Sequence, residues 1–187
     1  MKKTSAVFLD RDGTINEEVE YLSRLEDLRL LPFCHEAIGM INRAGMKVIV
    51  VTNQSGVARG YFDEAFLHIL HGQINKMLGE RGAHIDRFYY CPHHPTEGNG
   101  TYTRNCDCRK PKIGMFLKAA REMGIDLSSS YMIGDHQKDM EAADNAGIKG
   151  VLVRTGYGRN TDMSDGTVYI ASDLLDAVQW ILKDQKR

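Results

Sequence analysis

Ala6-Val7-Phe8-Leu9-Asp10-Arg11-Asp12-Gly13-Thr14-Ile15-Asn16 is the stretch from which the rest of the chain can be read. Its leading apolar residues are too few for a helix and read as a buried strand. The run breaks abruptly into two carboxylates spaced i, i+2 and a glycine. Acids placed where a buried strand stops are costly unless a cation or a ligand compensates them. An acidic turn capping a helix is the plainer reading of Asp10-x-Asp12-Gly13. A calcium loop fits poorly, since the later ligands of such a series do not follow.

Outward from that stretch, strands and helices alternate. Lys47-Val48-Ile49-Val50-Val51 is β-branched and apolar, as expected of a strand covered on both faces, and it stops at the polar cluster Thr52-Asn53-Gln54-Ser55-Gly56. Further strands are predicted at 87–90, 131–133, 150–153 and 168–170. Helices are predicted at 33–44, from an N-cap at Asp63 through Leu78, from Pro111 through Met123, at 137–146 and at 173–183. Such alternation, with no internal repeat and no linker, predicts an α/β fold: a Rossmann-like, mostly parallel sheet with helices on both faces. In such sheets ligands bind beyond the carboxyl ends of the strands. The polar clusters at 10–12, 52–55, 134–135 and from 91 onward all follow strand ends, so they are expected on one edge.

The 187 residues suit a single domain, 1–187, and a net charge of −1 offers no general attraction for nucleic acid or an anionic membrane. No apolar run approaches the length of a membrane span, and the few apolar residues before Asp10 do not make a secretory signal. Three of the four cysteines, Cys91, Cys106 and Cys108, crowd one loop beside histidines, while Cys34 sits in a helical pattern as an ordinary buried thiol. That usage suits metal binding in a reducing compartment, so a cytoplasmic location is expected.

Phosphoryl transfer needs an in-line nucleophile, cations around the equatorial oxygens and a proton donor for the leaving group. The strand ends supply each. Asp10 is the expected nucleophile, forming an aspartyl phosphate. Asp10, the backbone carbonyl of Asp12 and Asp135 are expected to hold Mg2+, with Asp139 orienting its water shell from behind. The Asp12 side chain is the expected acid and base. Thr52 can donate to phosphoryl oxygens, and Lys110, expected at a helix start, adds positive charge.

Cys91-x-His93, followed after twelve residues by Cys106-x-Cys108, suits tetrahedral Zn2+ in a closed structural site, with His94 as the alternative imidazole. Such an ion would pin a loop of about 91–108 that cannot pack a core of its own.

Asp10-Arg11-Asp12-Gly13-Thr14, Thr52-Asn53-Gln54, Arg109-Lys110-Pro111 and Gly134-Asp135-x-x-x-Asp139 resemble, in order, the motifs of the haloacid dehalogenase superfamily. The resemblance implies a Rossmann-like fold, Mg2+ dependence and an aspartyl-phosphate intermediate. With no long insertion after Asn16 or between Ser55 and Cys91, no separate cap domain is expected. The stretches 52–60 and 89–95 are similar to the zinc-containing branch of heptose-bisphosphate phosphatases more than to its histidinol-phosphate phosphatases. That branch implies an enzyme removing the C7 phosphate of a sugar bisphosphate, toward nucleotide-activated heptose for bacterial surface polysaccharide; a monomer is expected. Its substrate contacts carry over to Asp10, Arg11, Asp12, Glu18, Val19, Glu20, Tyr21, Thr52, Asn53, Gln54, Ser55, Arg109 and Lys110. Arg59, Arg109 and His136 are candidates for the second phosphate, since guanidinium forks suit phosphate. His136 stands where the heptose enzymes carry lysine. Two readings from other classes compete: a nucleic-acid-binding zinc module, opposed by the near-neutral charge, and a phosphoprotein receiver, which would not need Asp12.

Overall fold

The computed structural model describes residues 4–98, 100–161 and 166–186. Six parallel strands form one sheet in the order β3-β2-β1-β4-β5-β6: β1 (Ala6–Leu9), β2 (Lys47–Asn53), β3 (Arg87–Cys91), β4 (Tyr131–Gly134), β5 (Lys149–Val153) and β6 (Thr167–Ala171). This is the doubly wound order, and its reversal point lies between β1 and β4. The helices are α1 (Cys34–Arg43), α2 (Glu64–Gly79), α3 (Gly114–Met123), α4 (Gln137–Asn145) and α5 (Leu174–Asp184).

Strand side chains alternate between faces, and the two faces carry separate cores. Val7, Leu9, Val48, Val50 and Ile133 meet Ile38 and Ile41 of α1, Leu70 and Ile74 of α2, and Val178 and Ile181 of α5. Ala6, Phe8, Ile49, Val51 and Met132 meet Met115, Phe116 and Ala119 of α3 and Ala142 and Ala143 of α4. Because both faces are covered, β1 and β2 read as continuous apolar runs rather than alternating ones. Among the described residues no separate lobe stands after β1 or β2. Residues 10–33 contain one short 3-10 turn, Leu25–Asp27, and residues 54–63 are turns and bends.

Every strand pair is parallel, as the Rossmann-like fold expected from the sequence requires. One local expectation needs correction. Pro111 does not open α3, which starts at Gly114. Its bond to Lys110 is cis, the Lys112 N–H donates to the Arg109 carbonyl, and the Gly114 N–H donates to the Asp107 carbonyl. A Cβ at Gly114 would meet that Asp107 oxygen at 2.5 Å. These turns consume the residues that a helix from 111 would need, and Lys110 therefore precedes α3 instead of starting it.

Phe116 is fully buried, and its ring lies 5.0 Å from that of Phe8. Phe116→Ala should cost about 3–5 kcal/mol of stability in a urea titration, as large-to-small changes in a packed core do. A loss below about 1 kcal/mol would mean that the α3 layer does not pack as described.

Candidate functional site

The carboxyl ends of β1, β2 and β4 open into a cavity of about 260 Å3. Asp10, the first residue beyond β1, takes an Oδ1 contact from its neighbour's backbone, the Arg11 N–H, at 2.8 Å. Its own N–H donates to the Ile133 carbonyl at 2.9 Å, which ties it to β4. Asp135 follows β4, and Asp139 lies in the first turn of α4. Ligand oxygens of Asp10, Asp135 and Asp139 all lie within 4.8 Å of one another.

Lys110 is the cation among them. Its ammonium stands 3.0 Å from Asp10 Oδ1 and 2.6 Å from Asp139 Oδ1, with no side-chain exposure. Asn53, at the end of β2, grips the Lys110 backbone at both ends: Nδ2 donates to its carbonyl and Oδ1 accepts from its N–H, each at 3.0 Å. Asp139 Oδ2 accepts from the His136 N–H at 3.1 Å in a capping box that opens α4. Both Asp139 oxygens are thus engaged from behind, while Asp10 and Asp135 line the cavity.

Asp135 is held by crowding as well as by bonds. Oδ2 accepts from the Tyr157 N–H at 2.8 Å. Gly13 (φ +76°) and Gly156 (φ +49°) press against it so closely that a Cβ on either would come within 2.0 and 2.1 Å of that oxygen. Burial, then the charges of Asp10 and Asp139, push the Asp135 carboxyl up to about 8. Burial also raises Asp10, against the pull of Lys110. Lys110 pairs with two of the three buried carboxylates, and the negative charge left over, presented by oxygen donors alone, fits a hard divalent cation.

Asp12 lives in a different environment. Arg11 forks onto it, Nε to Oδ1 at 3.0 Å and Nη2 to Oδ2 at 2.7 Å. Asn16 Nδ2 adds a bond at 2.9 Å and Gln54 Nε2 one at 2.8 Å. Burial would raise its pKa, but the Arg11 charge and these donors outweigh burial and hold Asp12 below the usual carboxylate range. Gln54 Nε2 also donates to Thr52 Oγ1 at 2.9 Å, which leaves the Thr52 hydroxyl hydrogen free to point into the cavity.

Of the substrate contacts expected from sequence, Arg11, Glu18, Glu20, Tyr21, Asn53, Gln54, Ser55, Arg59, Arg109 and His136 line the cavity with Asp10, Asp12, Thr52 and Lys110. Val19 does not: it is 43% exposed. The Tyr21 N–H donates to the Val19 carbonyl at 2.7 Å and Glu20 has φ +64°, a tight turn that sends Val19 outward while its neighbours face in. Glu18 is pushed up to about 7 by burial and then by Asp12. Arg59 pairs with Glu97 and lies over the Tyr21 ring, 5.7 Å from its centroid. His136 is lowered by burial and by the charge of Lys138, and its Nδ1 accepts the Lys138 N–H as the cap of α4. Lys138 also lines this edge and adds a cation that sequence reasoning missed, as it did Tyr157. Neither carries a motif, because each reaches the cavity only through the turn that its element makes.

Cys91, His93, Cys106 and Cys108 converge as the second cluster. The sulfurs lie 3.2–3.4 Å apart, and His93 Nδ1 is 3.4 Å from Cys108 Sγ. Their crowding splits the thiols: contact with Cys108 pushes Cys91 up, and contact with Cys91 holds Cys108 down at about 5. His94 turns away, its Nδ1 accepting from the Glu97 N–H at 2.9 Å. Three soft sulfurs and one imidazole suit Zn2+, with all four positions filled by protein.

Comparison with known proteins points to one family. Residues 107–177 match the HAD-hydrolase-like family model. The D-glycero-beta-D-manno-heptose-1,7-bisphosphate 7-phosphatase of Photorhabdus laumondii is 45% identical over 172 residues, 91% of this chain and 92% of its own. The protein of the same name from Escherichia coli K12 is 40% identical over 187 residues, 99% of this chain and 97% of its own. The crystal structure of D,D-heptose 1.7-bisphosphate phosphatase from B. bronchiseptica, complexed with magnesium and phosphate, superposes with a TM-score of 0.86 at 33% identity. It covers 97% of this chain and 99% of its own.

Asp135 binds its proton more tightly in the folded chain, with a pKa of about 8 against an ordinary 3.8. The folded state keeps that proton between the two values, so cation-free protein loses stability as pH rises through this window. Mg2+ competes for the same oxygens; the Tm increase it produces should be larger at pH 8 than at about pH 6, and Asp135→Asn should abolish the difference. A magnesium shift independent of pH would contradict the site. For the second cluster, a zinc chelator should open residues 92–108 to protease. Unchanged resistance after chelation would remove a structural ion from the account.

Proposed function

The chain belongs to the haloacid dehalogenase-like hydrolases, among the D-glycero-beta-D-manno-heptose-1,7-bisphosphate 7-phosphatases, and on that premise we propose that it removes the C7 phosphate from the β anomer of that bisphosphate, leaving heptose 1-phosphate. The observation that carries the reading is the meeting of Asp10, Asp135 and Asp139 at the strand tips, the first and last paired with Lys110, beside an Asp12 held in a separate environment.

Asp10, Asp135 and the Asp12 backbone carbonyl would hold Mg2+, which neutralises charge and polarises phosphoryl oxygens. Cys91, His93, Cys106 and Cys108 would hold Zn2+ as a structural ion. In the first step an Asp10 carboxylate oxygen attacks phosphorus, the bond from phosphorus to the C7 oxygen breaks, and Asp12 gives its proton to that leaving oxygen. Lys110 and the Thr52 hydroxyl steady the phosphoryl oxygens. In the second step Asp12, now a carboxylate, takes a proton from water as its oxygen attacks phosphorus. The bond to Asp10 breaks, inorganic phosphate leaves, and Asp12 is protonated again. Arg11 favours the carboxylate form that the second step needs. A phosphoryl group entering beside Asp12 adds negative charge and favours the proton that the first step needs.

Arg59, Arg109 and Lys138 offer positive charge at the outer rim for the phosphate on C1. Free cysteines held for a metal suit a reducing cytoplasm, and no helix among the described residues is long and apolar enough to cross a membrane. The heptose 1-phosphate formed would then serve nucleotide-activated heptose for surface polysaccharide.

The test is phosphate release from both anomers of heptose 1,7-bisphosphate, histidinol phosphate and fructose 1,6-bisphosphate. The β heptose should lead in kcat/KM and release a single phosphate, and Asp10→Asn should lose at least about 10³-fold in kcat. Faster turnover of histidinol phosphate, or loss of the C1 phosphate instead, would refute the assignment.

A further inference from the structure

Arg11 is 1% exposed and the bulkiest of the fully buried side chains among the described residues. Its Nε and Nη2 address Asp12, and Nη2 also reaches Gln54 Oε1 at 3.0 Å. Nη1 faces α2, where His71 Nε2 lies 3.5 Å away. A guanidinium only donates, so this contact requires a lone pair on His71 Nε2 and the proton on Nδ1. The imidazole is itself fixed. It stacks on Phe88 of β3 with ring centroids 4.4 Å apart and planes 11° from parallel, and it is 5% exposed. Burial, then the charge of Arg11, pull His71 down to about 3, which keeps the ring neutral at working pH.

We propose that His71 is a positioning residue for the phosphatase reaction: its Nε2 accepts from Arg11 Nη1 and so keeps the guanidinium fork on Asp12. The inference rests on Asp12 being the acid and base of the proposed reaction. With the acceptor removed, Nη1 is a buried N–H without a partner, and the guanidinium turns to find one. Asp12 then loses the fork that sets its direction toward the leaving oxygen. His71 does not line the cavity and the Arg11 side chain bonds Asp12 rather than Asp10, so attack by Asp10 is left intact.

Leaving-group dependence separates such a role from a structural one. The C7 alkoxide of a sugar phosphate needs a proton to depart, whereas p-nitrophenolate from p-nitrophenyl phosphate departs without one. His71→Leu fills the site without an acceptor, and His71→Gln returns an oxygen near the position of Nε2. Asp12→Asn serves as the reference. For His71→Leu, kcat on heptose 1,7-bisphosphate should fall about tenfold or more, with KM within about twofold of wild type. The pre-steady-state burst of nitrophenolate should stay within about threefold of wild type in rate, and His71→Gln should recover most of the lost kcat. Equal losses of burst and sugar-phosphate turnover, an unchanged kcat, or a glutamine variant no better than leucine would overturn the proposal. If Asp12→Asn itself shows no such split, the reading of Asp12 fails, and the role of His71 fails with it. A split in Asp12→Asn that is absent in His71→Leu defeats the role of His71 alone.

Discussion

A lysine ammonium buried between two carboxylates is the contact on which the rest of the molecule depends. Lys110 reaches Asp10 and Asp139 with no solvent to share its charge, and Asp135 adds a further buried acid nearby. Isolated, each of these charges would be expensive to bury; together they offset one another only if the geometry is held. Three elements hold it: Asn53 clamps the backbone of Lys110, the capping box of α4 fixes Asp139, and β1 hands Asp10 across to β4. The sheet is the frame that brings these anchors from distant parts of the chain to one edge.

The acids on that edge divide by environment. Asp10 and Asp135 are raised by burial and by neighbouring carboxylates, Asp139 among them for both, and their excess negative charge is what a hard cation relieves. Asp12, two residues from Asp10, is lowered because Arg11, Asn16 and Gln54 outweigh the cost of burying it. Neighbours of like chemistry are thus fitted by the partners that surround them to the different tasks proposed for them, attack in one case and proton exchange in the other.

The thiol cluster serves the same edge from a distance. The loop that leaves β3 at Cys91 returns through Cys108 directly into Arg109 and Lys110, so whatever fixes the loop also fixes the lysine. Arg109 Nη1 donates to the His93 carbonyl at 3.1 Å, and Glu64 on α2 accepts from both Tyr90 and Tyr102. A long loop with little core of its own is entropically costly to order, and an ion at the four ligands offsets that cost.

By itself the sequence determined the type and order of the elements, since strand and helix periods are local. It also determined that the polar clusters lie on one edge, because parallel strands all end on the same side of their sheet. The fit of Cys91, His93, Cys106 and Cys108 to a soft metal was legible from spacing, although the choice of His93 over His94 was not. What tertiary structure alone decided is pairing between residues far apart in the chain: Gln54 with Arg11 across 43 positions, Asn53 with Lys110 across 57, His71 with Arg11 across 60. His71 lay on the buried stripe of α2 between Leu67 and Ile74, where a polar residue is itself a signal, but its partner could not be named from that stripe. The outward turn of Val19 and the late start of α3 were likewise hidden, because both depend on backbone hydrogen bonds that no side-chain pattern encodes. Periodicity reports which face of an element is buried; only the register between elements reports what it is buried against.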